Sequence, residues 1–499
     1  MIATTDATAR DAAAGSADRE PTNVYDELAK EWRARRDRLN DLTADERVGR
    51  LQTNAYYYDA LRTLLNFIVE DGKRVLCVRS DVGQYLEWVR PSRGLGIETS
   101  EPLVDIARRR CPQYEFRTGE FENLDVQETF DYVLITNGVN HIFDVQQALA
   151  GLRRNCEPHT RVVILFYNFL WQPLVQLAER FGLKSRQAPE NWLSPSDVAG
   201  MLYLAGFDVV RGYRSTLVPV RVPLVSAFVN RFIAPLPGFN RLCFVQCLVA
   251  RPAAGVVEPL TPKSVSVIIP CKNEVGNIEA AVRRTPEMGS HTELIFCDDH
   301  STDGTADEVR RIQALYPRRD IRLIAGPGIS KAKNVWAGFD AARGDVLMIL
   351  DADLAVPPEE LPRFYEALLK GRGEFINGSR MVYPMRDQAM RLLNIFGNKA
   401  FSLTFSYILR QNIKDTLCGT KALWRRDYER LTRFRDSWGI TDRWGDYELI
   451  FGAARCNLKI VDLPVHYMER VHGATKMTGR LRNARVMFRM CVAAARKFR

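Results

Sequence analysis

Long apolar runs are missing from this 499-residue chain. No uninterrupted stretch approaches the ~18 residues of a membrane-crossing helix, so no span is expected. The opening segment, MIATTDATARDAAAGSADRE, lacks the apolar core of a secretory signal. Its Ala, Thr, Ser and Asp content predicts a disordered tail over 1–22. Paired cysteine spacings are missing too. The ten cysteines are scattered, and Cys243 and Cys247 have neither a second pair nor a nearby histidine, which argues against a zinc site. Cys77, Cys271 and Cys297 lie in or beside apolar strands and read as small buried hydrophobes in a reducing compartment. There is no internal repeat, no coiled-coil pattern and no interleaving of aromatic with basic residues, so nucleic acid is not an expected partner. What the chain does have is an ordinary hydrophobic fraction of 46% and a formal charge of +10. The charge favours an anionic partner, either a phosphorylated substrate or an acidic membrane surface. A cytoplasmic location is expected, with room for peripheral contact on the cytoplasmic face of a membrane.

Length predicts two or three domains. A first domain is expected over 23–250, a linker over 251–263 (RPAAGVVEPLTPK) and a second domain over 264–499. In the first, RVLCV (74–78), GLGIET (94–99), YEFRTG (114–119), FDYVLITN (130–137) and RVVILFYN (161–168) alternate with helical stretches. Continuous apolar strands separated by helices imply a mostly parallel sheet covered on both faces. A less regular, proline-punctuated tail is expected over 171–250. In the second, VSVIIP (265–270), ELIFCDD (293–299), IRLIAG (321–326) and DVLMILD (345–351) are strands, and 277–285, 305–315 and 330–342 are the helices between them.

Three strands of the second domain end in acid, and ligands of open α/β sheets bind at such carboxyl ends. Pro270, Lys272, Asn273 and Glu274 close the first. Asp298 and Asp299 close the second, and one of them, Asp299 by preference, is a candidate for a nucleobase edge; turn and capping chemistry is the bland alternative. Asp351 and Asp353 follow a fully apolar strand. At that spacing two carboxylates can face one Mg²⁺ or Mn²⁺ that bridges a diphosphate, against the alternative of a solvated turn. Lys331 and Lys333 open a helix and reach a pyrophosphate or simply face water.

Further on, Asp446 and Glu448 share a face if their segment is extended, and either could orient an acceptor or act as a base. His466, Arg470, His472 and Lys476 surround a glycine in a candidate cationic flap; a solvated basic loop is the alternative. Arg380, Arg391 and Arg410 are further cations for an anionic acceptor. The apolar stretch 388–410 and the basic, apolar tail 480–499 are the candidate membrane-contact segments, each weighed against plain packing.

With these residues in view, 264–480 resembles a family-2 glycosyltransferase of the GT-A fold. PCKNE, DDHSTDGT, DAD, DTLCGTKA, GDYEL and PVHYMERVHGATK stand in the order seen in dolichol- and polyprenyl-phosphate sugar synthases. The resemblance implies an inverting enzyme that uses a UDP- or GDP-sugar. Glu274 and Asp299 would bind the nucleoside, Asp351 and Asp353 the metal and diphosphate, and Arg470 and Lys476 the phosphates under a closing loop. The acceptor would be a polyprenyl phosphate, in cell-envelope polysaccharide assembly. A glycan hydroxyl, with Asp446 or Glu448 as base, is the second reading; a non-enzymatic assembly factor is the third.

Residues 50–210 resemble a class I S-adenosylmethionine-dependent methyltransferase, through RVLCVRSDVGQYLEWV, GLGIETSEPLVDIAR and FDYVLITNGVNHI. The fold class expected is therefore α/β, a Rossmann-like methyltransferase fold followed by a GT-A fold. Glu98 matches the acid that pairs with the cofactor ribose, Asp81 and Gly83 lie in the first loop, and Asn137 and His141 follow the fourth strand. Bulky Arg79 stands where the backbone should approach the cofactor closely. Both an active methyltransferase and a retained scaffold remain open.

Overall fold

A computed structural model describes residues 24–136, 138–181, 191–253, 261–381, 392–439, 442, 444–468 and 480–498. The expected tail over 1–22 and most of the expected linker lie outside them. By packing, the chain forms two compact units. The first is Met1–Asn155, Val163–Ala205 and Arg214–Gln246; the second is Cys156–Val162, Gly206–Tyr213 and Cys247–Arg499.

Ahead of the first sheet stand three helices, Val24–Leu42, Ala44–Thr53 and Ala55–Ile68. The sheet's strands are β1 (Arg74–Val78), β2 (Arg93–Glu98), β3 (Glu115–Thr118), β4 (Phe130–Thr136), β5 (Cys156–Tyr167), β6 (Phe207–Ser215) and β7 (Val245–Pro252), in the order β3-β2-β1-β4-β5-β7-β6. β1 is parallel to β2 and β4, with Val78 level with Ile97 and Ile135. The strand order reverses at β1/β4, so a cleft for a ligand is expected beyond the carboxyl ends of those strands. The stretch expected to be irregular, 171–250, holds β6 and most of β7. All eight residues of β7 are buried, and its run to Pro252 enters the expected linker.

The second sheet contains β8 (Val265–Cys271), β9 (Thr292–Asp298), β10 (Asp320–Ala325), β11 (Val346–Ile349), β12 (Phe375–Ser379), β13 (Lys421–Trp424) and β14 (Ile460–Pro464), in the order β10-β9-β8-β11-β13-β12-β14. The first four strands in that order are parallel, and β13 runs antiparallel to both β11 and β12. Alternate residues feed two apolar layers. Ile268, Ile295, Leu347 and Ile349 join one, while Val267, Leu294, Phe296 and Met348 join the other. With both faces covered, these strands are mostly apolar, and the polar residues inside them, such as Ser266, Glu293 and Asn377, are buried.

Residues of the two candidate membrane-contact segments take part in this packing, the alternative weighed for each. In the helix Leu392–Leu409, Phe405 and Leu409 are fully buried in the first layer, with Phe401 and Ile408 against it. In the helix Arg480–Lys497, Met487, Met490, Cys491 and Ala494 are buried in the same layer. On the same helices Leu403 and Phe488 stay exposed. No helix among the described residues is long and apolar enough to cross a membrane.

Candidate active site

Strand register brings the acidic ends of the second sheet to one edge. Cys271 of β8 is level with Asp298 of β9, and Ile268 of β8 with Ile349 of β11. Leu350 N donates to Ile268 O at 3.0 Å, which carries the chain to Asp351 beside the end of β8. The strand order reverses here too, between β8 and β11. Pro270, Lys272, Asn273, Glu274, Asp298, Asp299, Asp351 and Asp353 therefore cluster around one switch point.

Each acid there has a distinct setting. Asp299 is 6% exposed; its Oδ1 accepts from Gly328 N at 2.7 Å, and Lys272 Nζ lies 3.6 Å from Oδ2. Gly328 has φ +70°, and a Cβ there would strike the His300 ring, so this approach demands glycine. Asp298 Oδ2 accepts from Ser301 N at 3.3 Å, while Oδ1 is buried with no hydrogen-bond partner. Glu274 is half-buried and one of its oxygens accepts from Asn277 Nδ2 at 2.7 Å. Asp353 is half-buried, with Oδ1 accepting from Ala355 N at 3.1 Å.

Asp351, itself partly exposed, borders a network of buried charge. The Lys331 ammonium is 2.5 Å from its Oδ1. That oxygen is buried and makes no hydrogen bond of good geometry, so the contact is an ion pair alone. Gly419 makes room, since a Cβ at that position would collide with the Asp351 carboxylate. Beyond it, Lys421 is fully buried, 2.8 Å from Asp446 Oδ1. Burial alone would lower the Lys331 pKa, but Asp351 and Asp446 outweigh it and hold the ammonium above its ordinary range. Burial likewise opposes ionisation of Asp351, and Lys331 overrides it, leaving that carboxyl below its usual value. Burial pushes Asp446 up against the pull of Lys421 and Lys331.

At the corresponding edge of the first sheet, Glu98 is 1% exposed. Both of its oxygens are occupied, by Asp81 N at 3.0 Å and Thr99 N at 2.9 Å. Burial pushes its carboxyl up, with Arg79 opposing. Arg79 and Asp81 adopt positive φ, 62° and 52°, where glycine is favoured. Gly83 has φ +84° and packs over Phe116 and Cys111. His141 is buried, and Asn137 lies outside the described residues.

Residues 266–451 match the model of glycosyl transferase family 2. Residues 79–164 match that of a methyltransferase domain. The chain is 34% identical over 150 residues to the undecaprenyl-phosphate 4-deoxy-4-formamido-L-arabinose transferase of Aeromonas hydrophila, which covers 29% of this chain and 46% of that protein. It is 39% identical over 120 residues to the dolichol-phosphate mannosyltransferase of Pyrococcus furiosus, covering 24% and 33%. The chain thus spans a third to about half of these relatives' length. Among solved structures, a SAM-dependent methyltransferase of Thermotoga maritima aligns at 16% identity and TM-score 0.36, over 43% of this chain and 99% of that one.

Several residues singled out for the family 2 domain have other partners. Lys333 is paired with Asp436. Arg380 gives a two-pronged bond to buried Asp415, at 2.8 and 2.9 Å, which overrides burial and drops that carboxyl to about 2, and its charge also reaches Asp351. Arg410 lies over the Tyr407 ring. His466 is paired with Glu360 at 2.6 Å. Arg391, Arg470, His472 and Lys476 lie outside the described residues. Asp446 and Glu448 do not share an extended face, because a helix begins at Tyr447. Asp442 starts it, its Oδ2 accepting from Tyr447 N and Glu448 N at 2.9 and 3.1 Å. Residues two apart on a helix point to different sides. Glu448 is 4% exposed, and burial with Asp442 and Asp436 nearby pushes its carboxyl up to about 7.

Lys421, Gly419 and Asp442 were not singled out from sequence. A lysine opening the otherwise apolar strand KALW was the available signal for the first, since Lys421 sits level with Ile349 of β11. Asp442 stands outside the stretch of helical pattern, and nothing local marks it as a cap.

Proposed function

We propose that the second unit moves a sugar from a nucleotide diphosphate sugar, UDP- or GDP-linked, to a polyprenyl phosphate in cell-envelope polysaccharide assembly. The observation that carries this reading is the register of three acid-ended strands at one switch point, with Asp351 paired to a replaceable lysine. The family 2 match and the polyprenyl-phosphate and dolichol-phosphate relatives support it. Asp299, backed by Asp298 and Glu274, faces the nucleoside. Lys331 exchanges Asp351 for a phosphate oxygen as the donor enters.

A divalent Mg²⁺ or Mn²⁺ fits the residues present. Asp351 would give up its Lys331 ion pair to the ion, Asp353 is half-buried, and such an ion needs only one or two carboxylates besides substrate phosphates. When bound, it supplies charge stabilisation for the departing diphosphate. A phosphate acceptor is already anionic and needs no base. Its oxygen attacks the anomeric carbon, the bond to the diphosphate breaks, and the electron pair leaves with the nucleoside diphosphate. Arg470 and Lys476, outside the described residues, are the cations this reading assigns to the phosphates. The test is transfer by the full chain from a panel of UDP- and GDP-sugars to a polyprenyl phosphate, with and without a chelator. Absence of transfer from every donor with metal present would end the proposal.

Glu448 favours a second reading. A carboxyl titrating near 7 suits a general base for a hydroxyl acceptor. Glu448→Gln would then abolish transfer to a glycan acceptor, in a chain that leaves polyprenyl phosphate untouched.

For the first unit the residues do not fit S-adenosylmethionine held through Glu98. That carboxylate is buried and bound to main-chain N–H groups, with Arg79 in the loop where a glycine would open the approach. Ser80 Oγ and Asp81 Oδ1 are buried without hydrogen bonds, which leaves polar capacity for a smaller ligand or water. We read this unit as a retained methyltransferase-type fold serving as a scaffold. Saturable binding of S-adenosylmethionine that Glu98→Gln weakens is the result that contradicts it.

A further inference from the structure

We propose that residues 217–242 of the first unit form a docking surface for an anionic lipid bilayer. Every exposed residue from Val220 to Leu242 is apolar, proline, glycine or arginine. Leu224 is 89% exposed, and Phe228, Phe232 and Phe239 are each about half exposed. Single exposed hydrophobes are ordinary, but a contiguous set of this kind marks an interaction surface.

The segment's polar side chains are turned inward. Ser226 Oγ accepts from Val222 N and donates to Val220 O, at 2.7 and 2.6 Å. Asn230 Oδ1 accepts from Val218 N at 2.9 Å, while its Nδ2 donates to Val218 O and to Tyr56 Oη on the helix Ala55–Ile68. Asn240 is 5% exposed. Asn168 Nδ2 donates to Arg241 O at 2.8 Å and Trp171 Nε1 to Leu242 O at 2.8 Å, which sets exposed Phe169 and Leu170 beside the same surface. Leu224 holds φ 64°, a costly conformation for leucine that keeps its side chain in water. The loop is thus held in shape by its own polar groups, and outward it offers only apolar atoms and guanidinium groups.

Charge selects the occupant. Arg221, Arg231 and Arg241 are exposed, and no acidic residue occurs between Asp208 and Glu258. A protein partner would have to match this face with few hydrogen bonds to offer or receive. A bilayer interface asks for what is here: apolar side chains to enter the acyl boundary and arginines at headgroup level, with no carboxylate to be repelled. The surface stands on these observations whether or not the second unit uses a lipid acceptor.

The test is flotation of the full chain with vesicles of phosphatidylcholine alone or mixed with phosphatidylglycerol, at low and high salt. The chain should bind the mixed vesicles, and less so in high salt. The double variant Phe228→Asp/Phe232→Asp should bind about tenfold more weakly or worse, with a cooperative melt showing that it stays folded. The triple variant Arg221→Ser/Arg231→Ser/Arg241→Ser should lose the preference for anionic vesicles. If the double variant proves unfolded, Leu224→Ser repeats the test with one exposed side chain. Three results overturn the proposal: no binding to either vesicle, equal binding by the folded variants, or a chain dimer that the variants break in the absence of any vesicle binding.

Discussion

The two sheets reverse strand order in the same way, and each carries a carboxylate along that edge, Glu98 at the end of β2 and Asp351 after β11, yet the two carboxylates are held by different kinds of group. Glu98 in the first is 1% exposed and bound to main-chain N–H groups. Asp351 in the second is partly open and paired with the ammonium of a side chain that is itself about one-third exposed. Main-chain donors cannot leave without unfolding the loop, whereas a lysine can swing to a phosphate. A shared topology thus carries an exchangeable ion pair at one edge and a main-chain-bound carboxylate at the other. Fold supplies the location, and the local donors decide whether it is available.

The largest effect that sharpens this contrast should come from Asp353→Asn, which leaves the fold intact but removes an anionic ligand. Sugar transfer should fall about a hundredfold or more, with thermal melting unchanged; a loss of under threefold in rate assays would argue that the edge is not the reaction centre. Next is Arg380→Ala. It strands the buried Asp415 carboxylate, and denaturant unfolding should show a loss of about 3–5 kcal/mol. Asp415, held at about 2 in the fold, contributes stability that is present above its unfolded pKa and lost as pH falls towards 2.

Glu448 behaves oppositely. Its folded value, about 7, lies above the unfolded one, about 4.3, so across that window the folded chain keeps a proton that the unfolded chain has lost. Stability therefore falls as pH rises from about 4.5 to 7. Glu448→Gln should remove this slope and gain up to about 3 kcal/mol above pH 7, read as melts across pH. The smallest effect tests the edge of the first sheet. Millimolar S-adenosylmethionine should leave the melting temperature unmoved, while a true donor sugar with Mg²⁺ at a hundred times its dissociation constant should stabilise by about 2.7 kcal/mol. A clear shift with S-adenosylmethionine would erase the distinction between the two edges.

Much of this layout was legible in one dimension. Apolar strands that end in acid have little freedom. β1, β8 and β9 fall within a residue of where the pattern puts them, because burial on both faces keeps these strands mostly apolar. The clustering of Asp298, Asp299, Asp351 and Asp353 follows from parallel register, and their segment matches family 2.

The partners of those acids were not legible. Lys421 meets Asp446 only after β13 is laid antiparallel beside β11, and Asp442 becomes a cap only once the chain turns back onto Tyr447 N. The membrane candidates show the same limit. Leu392–Leu409, Arg480–Lys497 and 217–242 all carry many apolar residues, and only the first two were singled out from sequence. The second unit's inner layer takes those two, leaving the third exposed. Sequence determined which side chains seek an apolar or a charged partner. Tertiary structure decided which of them found one inside the protein, because burial and ion pairing depend on contacts between residues far apart in the chain.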